Sequence, residues 1–233
     1  MLEKLAKQTA VYGISTIAVR FLSYLLTPVF TRVFEPEAYG IVTDVYALIP
    51  FALVVLTMGL ESAYFRFAAK ADAAAAAAGG TEGEIAAQAR AGKRRLFATA
   101  WGVTLLAASL FFLLTAFGRE RVAEWMGEAY VAHPEYVLLV AAVVWFDVAA
   151  CLPFSRLREQ GRAMTFVGIK ALGVVVNVAL AIGFALAGLY GTPFGVGWVF
   201  VANLIASAVT FNVILLTTDR TVPRIDRRLL AAV

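Results

Sequence analysis

Six long apolar runs dominate this sequence and limit what it can fold into. Each run is long enough to cross a bilayer as a helix, which takes about 20 mostly apolar residues. The predicted membrane spans are 9–33, 39–65, 96–118, 136–154, 163–188 and 194–216. With 61% hydrophobic and only 15% charged residues, the chain is predicted to be an all-α, polytopic membrane protein and not a soluble domain.

The basic residues fall mostly on one side of the predicted membrane. If the connections alternate between two sides, fifteen Lys and Arg residues share a side with both termini, and only Arg32, Arg119 and Arg121 lie on the other. Cytoplasmic loops carry such an excess, so both termini are predicted to be cytoplasmic. No cleavable signal peptide is expected, because the first apolar run is too long and lacks a small-residue cleavage site.

The connections between the spans differ in composition. Segment 66–95 has an alanine run followed by paired glycines, which predicts short helical extensions around a mobile middle. The external stretch RVAEWMGEAY, within 119–135, is expected to lie at the membrane interface as a short amphipathic helix. Residues 1–218 are expected to form the six-helix unit, and 219–233 a basic cytoplasmic tail or linker.

An arginine stands near the middle of the first predicted span. Arg20 shares one helix face with polar and small residues at steps of three or four, Thr16 and Tyr24 among them. A guanidinium at mid-membrane costs at least about 2.5–3.5 kcal/mol, so this face is expected to line a water-filled cavity or a polar seam. The alternative is structural: Arg20 pairs with one acidic residue, and the hydroxyls bond carbonyls of their own helix.

Other ionisable residues lie in the later spans. Asp44 and Glu61 belong to the second span, Asp147 to the fourth and Lys170 to the fifth. Charges of both signs can neutralise one another in structural ion pairs, which is the favoured interpretation for Asp44 and Glu61. The other interpretation is a cavity with net positive potential from Arg20 and Lys170. The sequence leaves open which charges meet.

The sequence carries no pattern typical of catalysis or cofactor binding. The nucleotide-binding pattern Gly-x-x-x-x-Gly-Lys-Ser/Thr does not occur, so ATP-driven transport would need a separate subunit. Cys151, the one cysteine, has no metal-ligand spacing around it and is expected to be a small core residue. We therefore predict no catalytic residue, metal or cofactor. No nucleic-acid partner is predicted either, since topology explains the basic residues.

An ordered set of motifs fills the first 66 residues. These motifs are Gly13, the mid-span Arg20, the Thr31–Arg32 pair, Pro-Glu-Ala-Tyr-Gly at 36–40, and GLESAYFR at 59–66. In this order they resemble the polysaccharide (O-antigen/capsule-type) flippases of the multidrug/oligosaccharidyl-lipid/polysaccharide exporter superfamily. The resemblance is close over residues 1–66, and beyond them only the span spacing and the basic loops agree.

The resemblance implies a flippase in the bacterial inner membrane. Such a protein moves undecaprenyl-linked oligosaccharide to the periplasmic leaflet by alternating access, without covalent chemistry. A cationic cavity would hold the pyrophosphate, since arginine forms paired hydrogen bonds to phosphate oxygens. The candidate substrate-binding residues are Arg20, Arg32, Arg66, Lys170, Thr16 and Tyr24. The candidate ion-coupling residues are Asp44, Glu61 and Asp147.

The resemblance also implies a missing half. Members of the superfamily consist of two six-helix lobes that enclose the cavity, so this chain corresponds to the first lobe. The second lobe is expected from a longer form of the protein or from a partner chain. Two alternatives stay open: a cation-coupled multidrug antiporter of the same superfamily, with Asp44 or Asp147 as its deep carboxylate, and a non-transporting membrane scaffold for glycan assembly.

Overall fold

The computed structural model describes residues 26–218 together with Thr221, Pro223 and Asp226. Helices make up most of this part of the chain, which contains no β-strand, so the predicted all-α class is confirmed. In chain order the helices are α1 (Thr27–Val33), α2 (Pro36–Thr57), α3 (Leu60–Ala78), α4 (Glu82–Phe117), α5 (Arg119–Met126), α6 (Glu128–Ala132), α7 (Pro134–Glu159), α8 (Ala163–Leu186) and α9 (Gly197–Thr217). A 3-10 turn, Leu189–Gly191, connects α8 to α9.

Five helical stretches in the described residues are long and apolar enough to cross a membrane. Four are the single helices α4, α7, α8 and α9, and the fifth is the consecutive pair α2 and α3. They correspond to the second through sixth predicted spans, with ends shifted by a few residues. Of the first predicted span, only the end that contains α1 is described, so its membrane crossing stays a prediction.

Helix α7 is the centre of the lobe. It packs against α4 and α9 along its length and also contacts α2, α3 and α8. Apolar side chains occur on every side of α7, which is the pattern of a helix surrounded by protein, and Val144, Val148 and Leu152 are fully buried. A polar side chain on α7 must therefore find its partners within the protein.

Small residues and one indole fix the neighbours of this central helix. The Trp101 indole of α4 donates a hydrogen bond to the Ala149 carbonyl of α7 across 3.0 Å. Between α8 and α9, Gly173 lies directly against the Thr210 hydroxyl, and a side chain at Gly173 would collide with it. Small residues allow membrane helices to approach closely, and Gly173 serves that purpose here.

A break divides the second predicted span into two helices. Met58 and Gly59 both adopt left-handed backbone, with φ of 48° and 71°, which costs a non-glycine residue roughly 1–2 kcal/mol. One continuous helix over 39–65 is therefore not what forms. The break places Glu61 in the first turn of α3, where the helix dipole favours a carboxylate.

Segment 66–95 is more helical than expected. Helix α3 continues through the alanine run to Ala78, and α4 begins at Glu82 with reciprocal hydrogen bonds between Thr81 and Glu84. Only residues 79–81 separate the two helices, in place of the mobile middle that the glycines suggest. The alanines account for this difference, because alanine has the highest helix propensity.

A lysine ties this helical hairpin to α7. The Lys93 ammonium lies 2.8 Å from a carboxylate oxygen of Asp72 and 2.8 Å from one of Glu159. The first carboxylate belongs to α3 and the second to the last residue of α7. One side chain thus connects both arms of the hairpin to the central helix.

The two ends of the lobe differ in charge. The end where α7 stops and α8 starts carries Arg156, Arg158 and Arg162, and we call it the basic end. At the opposite end, called the acidic end, the stretch RVAEWMGEAY forms parts of two short helices, α5 and α6, in place of the single short helix that was expected. Gly127, with a φ of 121°, separates them.

Candidate functional site

Five polar side chains meet in the half of the lobe nearest the basic end, and we call them the charged cluster. They are Glu61, Asp147, Cys151, Arg158 and Lys170. Three of them lie on α7 at separations of four and seven residues, which puts them on one helix face. Helix α3 supplies Glu61, and α8 supplies Lys170.

Glu61 is the centre of the hydrogen bonding in this cluster. One carboxylate oxygen accepts a hydrogen bond from the Cys151 thiol at 2.7 Å. The other accepts from Nη2 of Arg158 at 3.2 Å, and the same nitrogen donates to the Ser155 hydroxyl at 3.1 Å. Of the two sequence-based interpretations of Glu61, the structure therefore displays the ion pair between helices.

The Arg158 guanidinium lies near two aromatic rings. Its central carbon is 5.3 Å from the ring centre of Phe65 and 5.8 Å from that of Phe166, distances at which a cation is attracted to a ring. Its Nε is buried and has no hydrogen-bond partner among the described residues. The position of Arg158 in the last turns of α7 adds a favourable interaction with the helix dipole.

Lys170 lies seven residues into α8, which is about 10 Å along the helix axis. Its ammonium nitrogen is 4.2 Å from the ring centre of Phe154. It interacts electrostatically with Asp147, yet among the described residues it makes no direct ion pair. The residue as a whole is exposed on the surface of the lobe, while its ammonium lies over the Phe154 ring and near Asp147.

Asp147 lies deeper, near the middle of α7. It is half-buried, and its carboxylate lies near the Ser207 hydroxyl of α9 and near the positive charge of Lys170. Tyr46 of α2 likewise lies near the Asn177 side chain of α8. Polar side chains therefore continue from the basic end towards the middle of the helices.

The other predicted binding residues do not join the charged cluster. Arg32 is exposed in the last turn of α1, and Arg66 is exposed on α3 with its guanidinium 5.2 Å from the ring centre of Phe67. The 22 residues of α2, which span about 33 Å, separate these two arginines along the chain. Asp44 is exposed near the acidic end, apart from the cluster.

Three predicted residues, Thr16, Arg20 and Tyr24, lie outside the residues that the structure describes. Thr27 and Thr31 continue the helix face of Arg20 at steps of three or four, and both are described. The Thr31 hydroxyl donates a hydrogen bond to the Thr27 carbonyl at 3.0 Å. At that position the structural alternative holds, a hydroxyl bonded to its own helix.

The role of Arg158 and the contact of Cys151 were not predicted from the sequence. Arg158 was counted among the loop residues that set topology, although it follows Asp147 and Cys151 on one face of α7. That spacing is the signal that was available. The expected burial of Cys151 is confirmed, but its partner Glu61 is 90 residues away in sequence, and no local pattern reveals such a contact.

The cluster offers groups for ionic binding. Lys170 and Arg158 carry positive charge, and Asp147 and Glu61 supply carboxylates. Within the described residues, no three His, Cys, Asp or Glu side chains are grouped so that they could hold a metal ion.

Comparison with protein families found one match that covers nearly the whole chain. A family model described as "polysaccharide biosynthesis protein" matches residues 5–228. Neither the curated proteins nor the solved structures gave a match. The match agrees with the resemblance carried by the first 66 residues and extends it through all the described helices. This chain therefore belongs to the polysaccharide biosynthesis protein family.

Proposed function

We propose that this chain is one six-helix lobe of a flippase for lipid-linked oligosaccharide in the bacterial inner membrane. The substrate would be an undecaprenyl-linked sugar, moved to the periplasmic leaflet by alternating access and without covalent chemistry. The family match supports a role in polysaccharide biosynthesis. The apolar helices support a membrane location, and the basic residues support cytoplasmic termini.

The observation that carries the proposal is the position of Lys170. A lysine about 10 Å inside an apolar helix is costly in a membrane unless it serves a ligand or a partner. Its ammonium lies over the Phe154 ring, and no described carboxylate pairs with it directly. A phosphate group from outside the described helices would pair with the Lys170 ammonium and complete this site.

The remaining binding residues form a path in this proposal. Arg20, with Thr16 and Tyr24 on the same helix face, would bind the pyrophosphate at mid-membrane. Arg32 and Arg66 would attract the anionic headgroup at the two ends of the transport path, because α2 separates them along the chain. Arginine suits this work because its planar fork bonds two phosphate oxygens at once.

Coupling to an ion gradient would use the carboxylates. Asp147 is the better placed of the proposed residues, since Ser207 and Lys170 adjoin it. Glu61 would follow, exchanging its partners Arg158 and Cys151 as the lobe changes state. Asp44 remains a third candidate, although its exposed position near the acidic end separates it from the other two.

The nearest alternative is a cation-coupled drug antiporter, and Asp147 is the observation that favours it. A deep carboxylate can exchange a cationic drug for a proton. Lys170 and the mid-span Arg20 oppose this alternative, because a positive cavity repels cations. A non-transporting scaffold for glycan assembly is the other alternative, and it predicts that Arg20 is dispensable.

The test uses the full-length protein in a host whose own flippase is deleted. Arg20→Ala is expected to abolish surface polysaccharide, and Arg20→Lys to retain part of it. Arg90→Ala, which changes an exposed residue of the α3–α4 hairpin, is the matched control. Normal surface polysaccharide from Arg20→Ala, at an expression equal to that of the wild type, would contradict the cavity mechanism and favour the scaffold.

The second lobe can be tested separately, by the mass of the native protein from its source membranes. This chain has a mass of 25.0 kDa. A species about twice as heavy would mean that the second lobe belongs to the same polypeptide. A species at the mass of this chain, co-purifying with another membrane protein, would mean that a partner supplies it.

A further inference from the structure

A pocket of about 230 Å³ opens near the acidic end of the lobe, away from the charged cluster. Helix α2 contributes Asp44 and Leu48 to its wall, and the short helices α5 and α6 contribute Trp125, Met126 and Tyr130. The pocket therefore combines one carboxylate, two aromatic side chains, a thioether and an aliphatic side chain. None of these groups has a role in the proposed transport path except Asp44, a third candidate for coupling.

The aromatic groups differ in how they meet the pocket. Trp125 is 83% exposed, so most of its indole is free to contact a ligand. Tyr130 is buried, and its hydroxyl lies 3.5 Å from the Ile41 carbonyl. Burial, together with the negative charge of Asp44, raises the pKa of Tyr130 to about 12. Tyr130 is therefore uncharged at neutral pH, and Asp44 is the one carboxylate among the residues that line the pocket, which include no Lys, Arg or His.

This chemistry selects among ligand classes. A phosphate or carboxylate would meet the Asp44 charge with no cationic group among the lining residues to bind it. A sugar needs several polar partners, and the wall offers only Asp44 and the already oriented Tyr130. An ammonium group fits both features, because it donates hydrogen bonds to a carboxylate and is attracted to the face of an indole.

The surroundings point to a lipid as the source of that ammonium. Trp125 belongs to α5, and tryptophans on short amphipathic helices favour the membrane interface. Arg121 precedes Trp125 by four residues on α5, so the two share a helix face, and both are exposed. A headgroup with its ammonium at Trp125 would place its phosphate on the side of Arg121.

The acidic end as a whole also favours a cation. Its residues comprise three arginines and seven carboxylates, Glu35, Glu37, Asp44, Glu120, Glu124, Glu128 and Glu135. Such an excess of negative charge raises the local concentration of positively charged groups. The positive-inside rule assigns this end to the outside of the cell, so the lipid would come from the outer leaflet.

We propose that this pocket binds the primary ammonium of a zwitterionic phospholipid headgroup, held by Asp44 and Trp125, with Arg121 directed to the phosphate. Phosphatidylethanolamine is the lipid with this chemistry. Its ammonium has three donors for the carboxylate, whereas the quaternary ammonium of phosphatidylcholine has none. The binding would anchor α5 and α6 against α2 at the membrane surface.

The test is native mass spectrometry of the full-length protein released from nanodiscs that contain equal amounts of phosphatidylethanolamine, phosphatidylcholine and phosphatidylglycerol. The wild type is expected to retain phosphatidylethanolamine preferentially. Asp44→Asn and Trp125→Ala are each expected to lower that retention about tenfold. Glu37→Gln is the matched control, because Glu37 is an exposed carboxylate of the same helix outside the pocket, and it is expected to retain the lipid normally.

Each contrary outcome overturns a defined part of the proposal. Equal retention by wild type and Asp44→Asn, in protein with an unchanged melting temperature, would rule out the pocket as the ammonium site. Equal retention of phosphatidylcholine and phosphatidylethanolamine would rule out recognition of a primary ammonium. If Arg121→Ala left retention unchanged, the phosphate contact would be wrong. If either pocket variant fails to fold, a displacement experiment on the wild type takes the place of that variant. Soluble phosphoethanolamine is then expected to displace the bound lipid, and no displacement would contradict the proposal.

Discussion

The thiol of Cys151 donates a hydrogen bond to the carboxylate of Glu61 across 2.7 Å, although the two residues are 90 positions apart in the chain. The second oxygen of the same carboxylate accepts from Arg158. One acidic side chain thus joins the first turn of α3 to the central helix α7 at two points. A hydrogen bond to a charged group contributes about 1.5–3 kcal/mol, so this junction matters for the packing of the two helices.

The environment of Cys151 predicts its reactivity. The thiol is buried and hydrogen-bonded, so labelling of the wild type by a maleimide is expected to be slow. Glu61→Ala removes the hydrogen-bond acceptor of the thiol and opens space beside it. The labelling rate is therefore expected to rise by about an order of magnitude, which corresponds to the free energy of one net hydrogen bond. Because the chain has a single cysteine, intact mass reports this rate directly. Glu37→Ala serves as the control, and equal rates in both variants would contradict the contact.

The packing of α8 on α9 predicts a position that tolerates only glycine. A side chain at Gly173 would collide with Thr210, whereas one at Gly168 on the same helix meets open space. Gly173→Val is expected to cost about 1–3 kcal/mol, as overpacking does, and Gly168→Val much less. The measurement is the melting temperature in detergent.

The same collision has a specific rescue. Thr210→Ala removes the hydroxyl that a residue at 173 would strike. The double variant Gly173→Ala/Thr210→Ala is therefore expected to lose less free energy of unfolding than the two single variants lose in sum. The reason is that the effects of substitutions at contacting residues are not additive. Strict additivity would show that the two helices do not meet here.

The ion pairs of Lys93 predict how the α3–α4 hairpin is held. Lys93→Ala leaves Glu159, whose side chain is only 16% exposed, without its partner. Cleavage of the hairpin by a glutamate-specific protease at Glu82 and Glu84 is expected to increase several-fold. Lys70→Ala, in an exposed lysine of the same hairpin, is expected to leave the cleavage rate unchanged.

The different exposure of the two carboxylates that Lys93 contacts predicts which of two further variants loosens the hairpin more. Glu159 is more buried than Asp72, with side chains 16% and 53% exposed. Exposed ion pairs contribute little, so Glu159→Gln is expected to loosen the hairpin more than Asp72→Asn. The reverse order would mean that the bond to α7 is not what holds the hairpin.

Lys170, which makes no direct ion pair among the described residues, predicts a loss of export when its charge is removed. In the full-length protein, Lys170→Met is expected to lower surface polysaccharide by about tenfold or more, the value of one charge-assisted bond to phosphate. Lys170→Arg is expected to keep part of the activity. Lys70→Met controls for the loss of a lysine at a site outside the charged cluster. Full export by Lys170→Met at equal expression would remove Lys170 from the binding path.

The charge difference between the two ends predicts the orientation in the membrane. In a Cys151→Ser background, a single cysteine at Glu128 is expected to react with a membrane-impermeant maleimide on intact cells. One at Gly83, at the start of α4, is expected to react only after the cells are opened. Both positions are exposed, so accessibility to solvent does not separate them. The reversed pattern would overturn the assignment of the termini to the cytoplasm.

Much of this architecture was predictable because membranes impose simple rules. Length and hydropathy were sufficient for the second through sixth spans, since a helix must satisfy its own backbone in lipid. Charge counting predicted which end carries the arginines. The helical character of the stretch before α7 was also predictable, whereas its location at the membrane interface stays a prediction.

Local patterns were weaker guides to how the helices end and bend. The glycines at 79 and 80 predicted a mobile middle, yet the alanine run carried α3 through to Ala78. The break at Met58 and Gly59 was not predicted, because methionine rarely adopts left-handed backbone. In both cases neighbouring residues outweighed the local signal on which the prediction was based.

The sequence by itself determined the class of protein, its second through sixth spans and the family, because these follow from composition, period and ordered motifs along the chain. Tertiary structure alone decided which charges meet. Glu61 reaches Cys151 and Arg158 only because α3 packs on α7. Asp44 and Trp125 line one pocket only because α5 and α6 lie beside the start of α2. Contacts between residues that are far apart in sequence arise from helix packing, and the order of residues along one helix does not encode them.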